Sequence, residues 1–91
     1  MAGPILEFAI SQHAAEEMKR RGLDEATIRG VLAAPDQRTA VRPGRDVLQS
    51  RFESGGRRYL VRVFVDVDRT PAQVVTAYRT SNITKYWRPD A

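Results

Sequence analysis

The chain predicts an α+β domain: two N-terminal helices packed on a four-stranded antiparallel meander sheet, with a short C-terminal helical tail. Three observations carry that prediction. Apolar residues recur at helical spacing in the first third of the chain, and the period becomes twofold after Pro35. The twofold segments are joined by short turns, which suit antiparallel neighbours. Residues 1–91 make one domain with one modest core.

Taken in order, residues 4–10 alternate weakly and fit a short edge strand. Ser11 is a good N-cap, and Gly22 suits the C′ position of the helix between them. On that helix Ala14, Ala15 and Met18 fall on one side. His13, Glu17 and Arg20 form a polar stripe on the other. Asp24 caps a second helix, Leu23 and Ile28 stand at hydrophobic-staple positions, and Pro35 stops it. Ile28, Val31 and Leu32 supply its buried face.

Residues 37–42 form the first meander strand, turned at Pro43-Gly44. Residues 46–53 alternate, with Leu48, Ser50 and Phe52 on one side. Ser54-Gly55-Gly56 closes a hairpin into 57–67, the longest and most β-branched run. Asp68-Arg69-Thr70-Pro71 turns the chain into a last strand over 72–80. Ser81-Asn82 is a capping pair that opens the tail.

Composition narrows the chemistry. There are 13 arginines against 2 lysines and a net charge of +4, which favours an anionic partner such as nucleic acid or an acidic protein. Arginine codons in a GC-rich genome give the same excess. The absence of cysteine excludes disulfides, thiolate metal sites and cysteine nucleophiles. One histidine and no metal-binding loop argue against zinc or calcium, so no metal and no cofactor are expected. No apolar run reaches the roughly 20 residues of a membrane span, and no basic-then-apolar leader is visible. The expectation is a cytoplasmic protein with no membrane partner.

Alternation separates the two faces of the sheet. Tyr59, Val61, Val63 and Val65 belong under the helices, joined by Val75 and Ala77. The opposite face carries Arg58, Leu60, Arg62, Phe64 and Asp66, with Val74, Thr76, Tyr78 and Thr80 beside them. Registering the two strands brings Arg58 and Arg62 near Thr76 and Tyr78, a surface suited to a phosphate backbone and a stacked base. A solvated outer face is the ordinary state of an antiparallel sheet and explains the same residues. His13 lies off the buried side, and an imidazole can exchange protons at cellular pH; a lone histidine is also often incidental. In the tail, Ile83 and Trp87 at i, i+4 fit an anchor on the core. Lys85 and Tyr86 are left for solvent or a bound phosphate.

Two segments resemble a known group. Ser11-x-His13-Ala14 followed by Met18-x-x-Arg21-Gly22-Leu23, and Val75-Thr76-Ala77-Tyr78 followed by Lys85-Tyr86-Trp87, are similar to the RelE-like and BrnT-like ribonuclease toxins of bacterial toxin–antitoxin pairs. The opening is nearest to a large uncharacterised bacterial family usually placed in the barnase–EndoU–colicin–RelE superfamily. The likeness runs from Ile10 to Trp87. It implies a metal-independent endoribonuclease in which the 2′-hydroxyl attacks the adjacent phosphate. The roles it implies are catalytic for His13, Arg58, Tyr78, Lys85 and Tyr86, and RNA-binding for Arg20, Arg57, Arg62, Thr76, Arg79, Thr80, Trp87 and Arg88. It also implies RNA, including ribosome-bound messages, and a cognate antitoxin as partners, with a homodimer open to the sheet edges. This chain lacks the second imidazole of histidine-pair ribonucleases. Two alternatives follow from other members and from the charge: a non-enzymatic inhibitor of DNA gyrase like the ParE toxins, or a small nucleic-acid- or protein-binding module.

Overall fold

A five-stranded sheet organises the molecule in the computed structural model, which describes residues 2–89. The elements run β1 (Phe8–Ile10), α1 (Gln12–Arg20), α2 (Glu25–Ala33), β2 (Gln37–Arg42), β3 (Arg45–Ser54), β4 (Arg57–Asp66), β5 (Ala72–Thr80) and α3 (Ile83–Tyr86). Strand order is β1-β5-β4-β3-β2. Strands β2 to β5 form the expected antiparallel meander.

The fifth strand is the difference from the expected four. β1 lies parallel to β5, with Phe8 opposite Ala72 and Ile10 opposite Val74. The pairing continues through Ser11, whose N–H donates to the Val74 carbonyl at 3.0 Å. Three residues are too few to display a period, and their partner is more than sixty positions away. Alternation therefore marked an edge strand in this region and left its pairing open.

Local chemistry sets both helices. Ser11 Oγ accepts the Ala14 N–H at 3.0 Å, and Asp24 Oδ1 accepts the Thr27 N–H at 2.8 Å. α1 ends in a Schellman turn: Gly22 adopts φ 68° and the Leu23 N–H reaches the Met18 carbonyl at 2.9 Å. Leu23 is thereby turned inward, and it is buried like Ile28, its staple partner. Ala14 and Met18 are buried, but Ala15 is exposed, so the apolar stripe of α1 is narrower than expected.

The core lies between the helices and one sheet face. Ile28, Val31 and Leu32 of α2 meet Leu48, Val61, Val63, Val65, Val74 and Ala77. Full burial of each valine, leucine or isoleucine side chain here contributes about 1.5–3 kcal/mol. A β-bulge corrects one assignment. Phe64 pairs with Thr76 and Val65 with Val74, so Val75 is the extra residue. Val74, not Val75, is the fully buried one. An inserted residue shifts the alternation by one, which a uniform period cannot anticipate. Tyr59 is also only partly covered, with the Arg79 guanidinium 5.6 Å from its ring centroid.

α1 packs against β5 and α2 against β3 and β4. Beyond Val74 the outer edge of β5 has no strand partner among the described residues; there Arg21 of α1 donates from Nη1 to the Ala77 carbonyl at 2.8 Å. The tail covers part of the other face. α3 is a single turn, and Asn82 makes no side-chain cap. The expected capping pair is replaced by an Asn82 N–H donating to Thr80 Oγ1 at 3.1 Å.

Candidate functional site

Four polar side chains form one row across the face away from the helices. Gln37 pairs in register with Gln49, Gln49 with Arg62, and Arg62 with Tyr78. Hydrogen bonds run along the row. Gln49 Nε2 donates to Gln37 Oε1 at 2.7 Å, Arg62 Nε to Gln49 Oε1 at 2.9 Å, and Arg62 Nη1 to the Tyr78 hydroxyl at 2.7 Å. Both glutamines are buried. A buried amide costs free energy unless bonded, and among the described residues every buried side-chain polar atom has a partner.

The same amides dock the tail. Gln49 Nε2 also donates to the Tyr86 carbonyl at 3.1 Å. Gln37 clamps the Arg88 backbone, accepting its N–H at 3.0 Å and donating to its carbonyl. Tyr86 is thereby set over Arg62, whose guanidinium lies 4.3 Å from the ring centroid. Tyr78 meets Tyr86 edge-on at 6.2 Å and stacks on Phe64 at 6.0 Å. A hollow of about 190 Å³ opens beside this group, lined by Thr39, Val47, Gln49, Arg62, Tyr86 and Arg88.

The Tyr86 hydroxyl is more acidic than an ordinary tyrosine. The Tyr78 hydroxyl is the main cause, followed by the Lys85 ammonium, with Arg62 adding to it. Lys85 Nζ stands 5.3 Å from the Tyr86 ring centroid. One patch therefore holds a cationic fork, an ammonium and an acidified phenol.

A second polar cluster sits at the β5 edge. Glu17 of α1 accepts the Thr76 hydroxyl at 2.6 Å and pairs with Arg21 at 3.2 Å. His13 Nε2 lies 3.3 Å from the same Glu17 Oε1, and its side chain is 71% exposed. The Thr76 hydroxyl, then Arg21, His13 and Arg20, keep the Glu17 carboxyl below its ordinary value. Thr76 stands opposite Phe64, which stacks on Tyr78. The histidine cluster thus adjoins the aromatic row through Thr76 and Phe64.

The expected site residues divide accordingly. Arg62, Tyr78, Lys85, Tyr86 and Arg88 come together, and Thr76 links to His13 through Glu17. Arg58 does not join them. It pairs with Glu53, Nε to Oε1 at 3.1 Å, beyond Leu60–Thr80, the last pair between β4 and β5. β5 ends too early to reach it, and Arg62 takes the place beside Tyr78. Arg57 lies at the β3–β4 turn opposite Ser54. Arg79 turns to Tyr59 instead, and Arg20 points outward, 3.8 Å from Glu17. Thr80 receives the Asn82 N–H, and Trp87 lies under the Arg51 guanidinium at 4.1 Å.

Sequence reasoning passed over Gln37, Gln49 and Arg51, and it did not see Glu17 as a hub. No local signal gave the pair: the Pro43-Gly44 turn sets Arg42 opposite Arg45, and a bulge between Ala40 and Arg42 shifts the register so that Gln37 meets Gln49 and not Ser50. Among the described residues no cluster of three or more His, Asp or Glu side chains could hold a metal ion. No helix there is long and apolar enough to cross a membrane.

No curated protein and no solved structure matches this chain. A family model described as a domain of unknown function, DUF4258, matches residues 10–79, from the end of β1 almost to the end of β5. α3, with Lys85 and Tyr86, follows the matched segment. That match covers well over half of the sequence, and the chain belongs to the DUF4258 family.

Proposed function

We propose that this protein is a metal-independent endoribonuclease, the toxin of a toxin–antitoxin pair. The observation that carries the reading is the grouping of Arg62, Tyr78, Lys85 and Tyr86, two of which, Arg62 and Tyr86, line an open hollow. In the proposed step the ribose 2′-oxygen attacks the adjacent phosphorus as its proton leaves to a base. The P–O5′ bond breaks, and an acid protonates the departing 5′-oxygen. The products are a 2′,3′-cyclic phosphate and a 5′-hydroxyl end. Arg62 and Lys85 balance the charge of the phosphorane. The acidified Tyr86 hydroxyl supplies one proton-transfer group and His13, held by Glu17, the other. An antitoxin would silence the protein by covering this face.

The test is expression of the full chain alone, with mapping of RNA ends. Growth arrest and new cyclic-phosphate termini are expected. Tyr86→Phe and Arg62→Gln should each reduce cleavage by about 10²-fold or more while the fold persists. Unchanged growth and intact RNA with the wild-type protein would overturn the reading.

One observation favours a second reading, a binding module or gyrase inhibitor without cleavage. Two Arg62 donors are already committed, to Gln49 and Tyr78. DNA-damage signalling without RNA fragments would identify the gyrase case; salt-sensitive binding to intact RNA would identify the module.

A further inference from the structure

The tail has two sides, and only one faces the hollow. Tyr86 ends α3, and Trp87 follows in extended backbone, φ −73° and ψ 131°. That change of conformation sends the two rings apart: Tyr86 lines the hollow, while Trp87 lines a separate groove of about 490 Å³. Ile83 and Thr84 share the groove wall, and Arg51 and Arg58 stand at its rim. The Arg51 guanidinium lies 4.1 Å from the Trp87 ring centroid. The side chains of Arg51 and Arg58 are 50% and 68% exposed, so both have donors open to solvent. Their carboxylate neighbours are Asp36, 4.0 Å from Arg51, and Glu53, 3.1 Å from Arg58.

We propose that this groove is a second nucleotide subsite for single-stranded RNA, taking a base against Trp87 and the adjoining phosphate between Arg51 and Arg58. The inference rests on the reading of this face as an RNA surface and extends it along the strand. Apolar walls with an aromatic ring suit a base, which stacks whatever its sequence. Two guanidinium forks at the rim suit a phosphate. Consecutive tail residues alternate between the two, Tyr86 and Arg88 lining the hollow and Trp87 and Pro89 the groove, which suits one strand crossing the tail. This also gives Arg58 a role at its observed position.

Trp87 is the chain's single tryptophan, so its fluorescence reports the groove directly. The probe is a short 2′-O-methyl oligoribonucleotide, whose blocked 2′-oxygen prevents cleavage. Saturable quenching of Trp87 is expected. Arg58→Gln should weaken binding about tenfold and lower the slope of log affinity against log salt by about 0.7. Glu53→Gln, which frees Arg58, should tighten binding. Both positions are exposed, so neither variant threatens the fold. Bound oligonucleotide, seen by anisotropy of a labelled probe, with silent Trp87 and wild-type affinity in Arg58→Gln would overturn the subsite. So would an absence of binding. Quenching without cleavage of unmodified RNA supports the subsite and sinks the nuclease reading. Cleavage with silent Trp87 does the reverse.

Discussion

The two faces of the sheet solve the same covering problem with different chemistry. Under α1 and α2 the strands present Leu48, Val61, Val63, Val65, Val74 and Ala77, all buried, and non-directional apolar contact holds the layers together. Under α3 they present Gln37, Gln49, Arg62 and Tyr78, and directional hydrogen bonds hold a single helical turn. Apolar packing tolerates rearrangement better than a bonded row, which fixes its members in position. The first face therefore supplies most of the stability. The second gives up some stability and holds a cationic, aromatic group in defined geometry.

Substitutions on each face test that division. Leu32→Ala on the helical side leaves a cavity and is expected to cost about 2–5 kcal/mol, measured by urea unfolding. Gln49→Leu on the tail side strips partners from the Gln37 amide, Arg62 and the Tyr86 carbonyl. A loss of about 1–3 kcal/mol is expected, with release of the tail visible in Trp87 emission. If Gln49→Leu proved neutral and left the emission unchanged, the row would not be what holds the tail.

Acid separates the regions further. Thr76 and then Arg21 lower the pKa of Glu17, and Arg45 lowers that of Asp66, relative to ordinary values of 4.5 and 3.8. Each carboxylate stabilises the folded state fully above its unfolded value. That contribution disappears as pH falls through the lower folded value. The urea midpoint should therefore drop with pH below the ordinary carboxylate range, and Thr76→Val should flatten the drop. The smallest effect concerns Tyr86. Tyr78→Phe and Lys85→Ala should each move its ionisation back toward 10.0, because both side chains lower it. Tyrosinate absorbance during an alkaline titration measures this.

Much of the helical side was legible in the sequence because its signals are local. Ser11, Gly22, Asp24 and Pro35 mark helix ends within a few residues of the atoms they satisfy. The meander was legible from alternation and turn residues. What escaped was a distant pairing and a break in the period. β1 finds β5 across the whole meander, and the extra residue Val75 reverses the local alternation. The candidate site was half legible. Tyr78, Lys85 and Tyr86 stood out as chemistry-bearing side chains, but the choice of Arg62 over Arg58 depends on where β5 stops. Gln37 and Gln49 were passed over because glutamine is mostly exposed and becomes an anchor only when a partner meets it.

The tail is gripped by its main chain: Gln37 and Gln49 hold the backbone of Arg88 and the carbonyl of Tyr86, not their side chains. Mutational drift at positions 85, 86 and 88 can therefore proceed without undocking the segment, so these positions can diversify much as an antibody loop does on a constant framework. A saturation library should find those three sites permissive for folding and selective for whatever the surface engages, while positions 37 and 49 resist change on both counts.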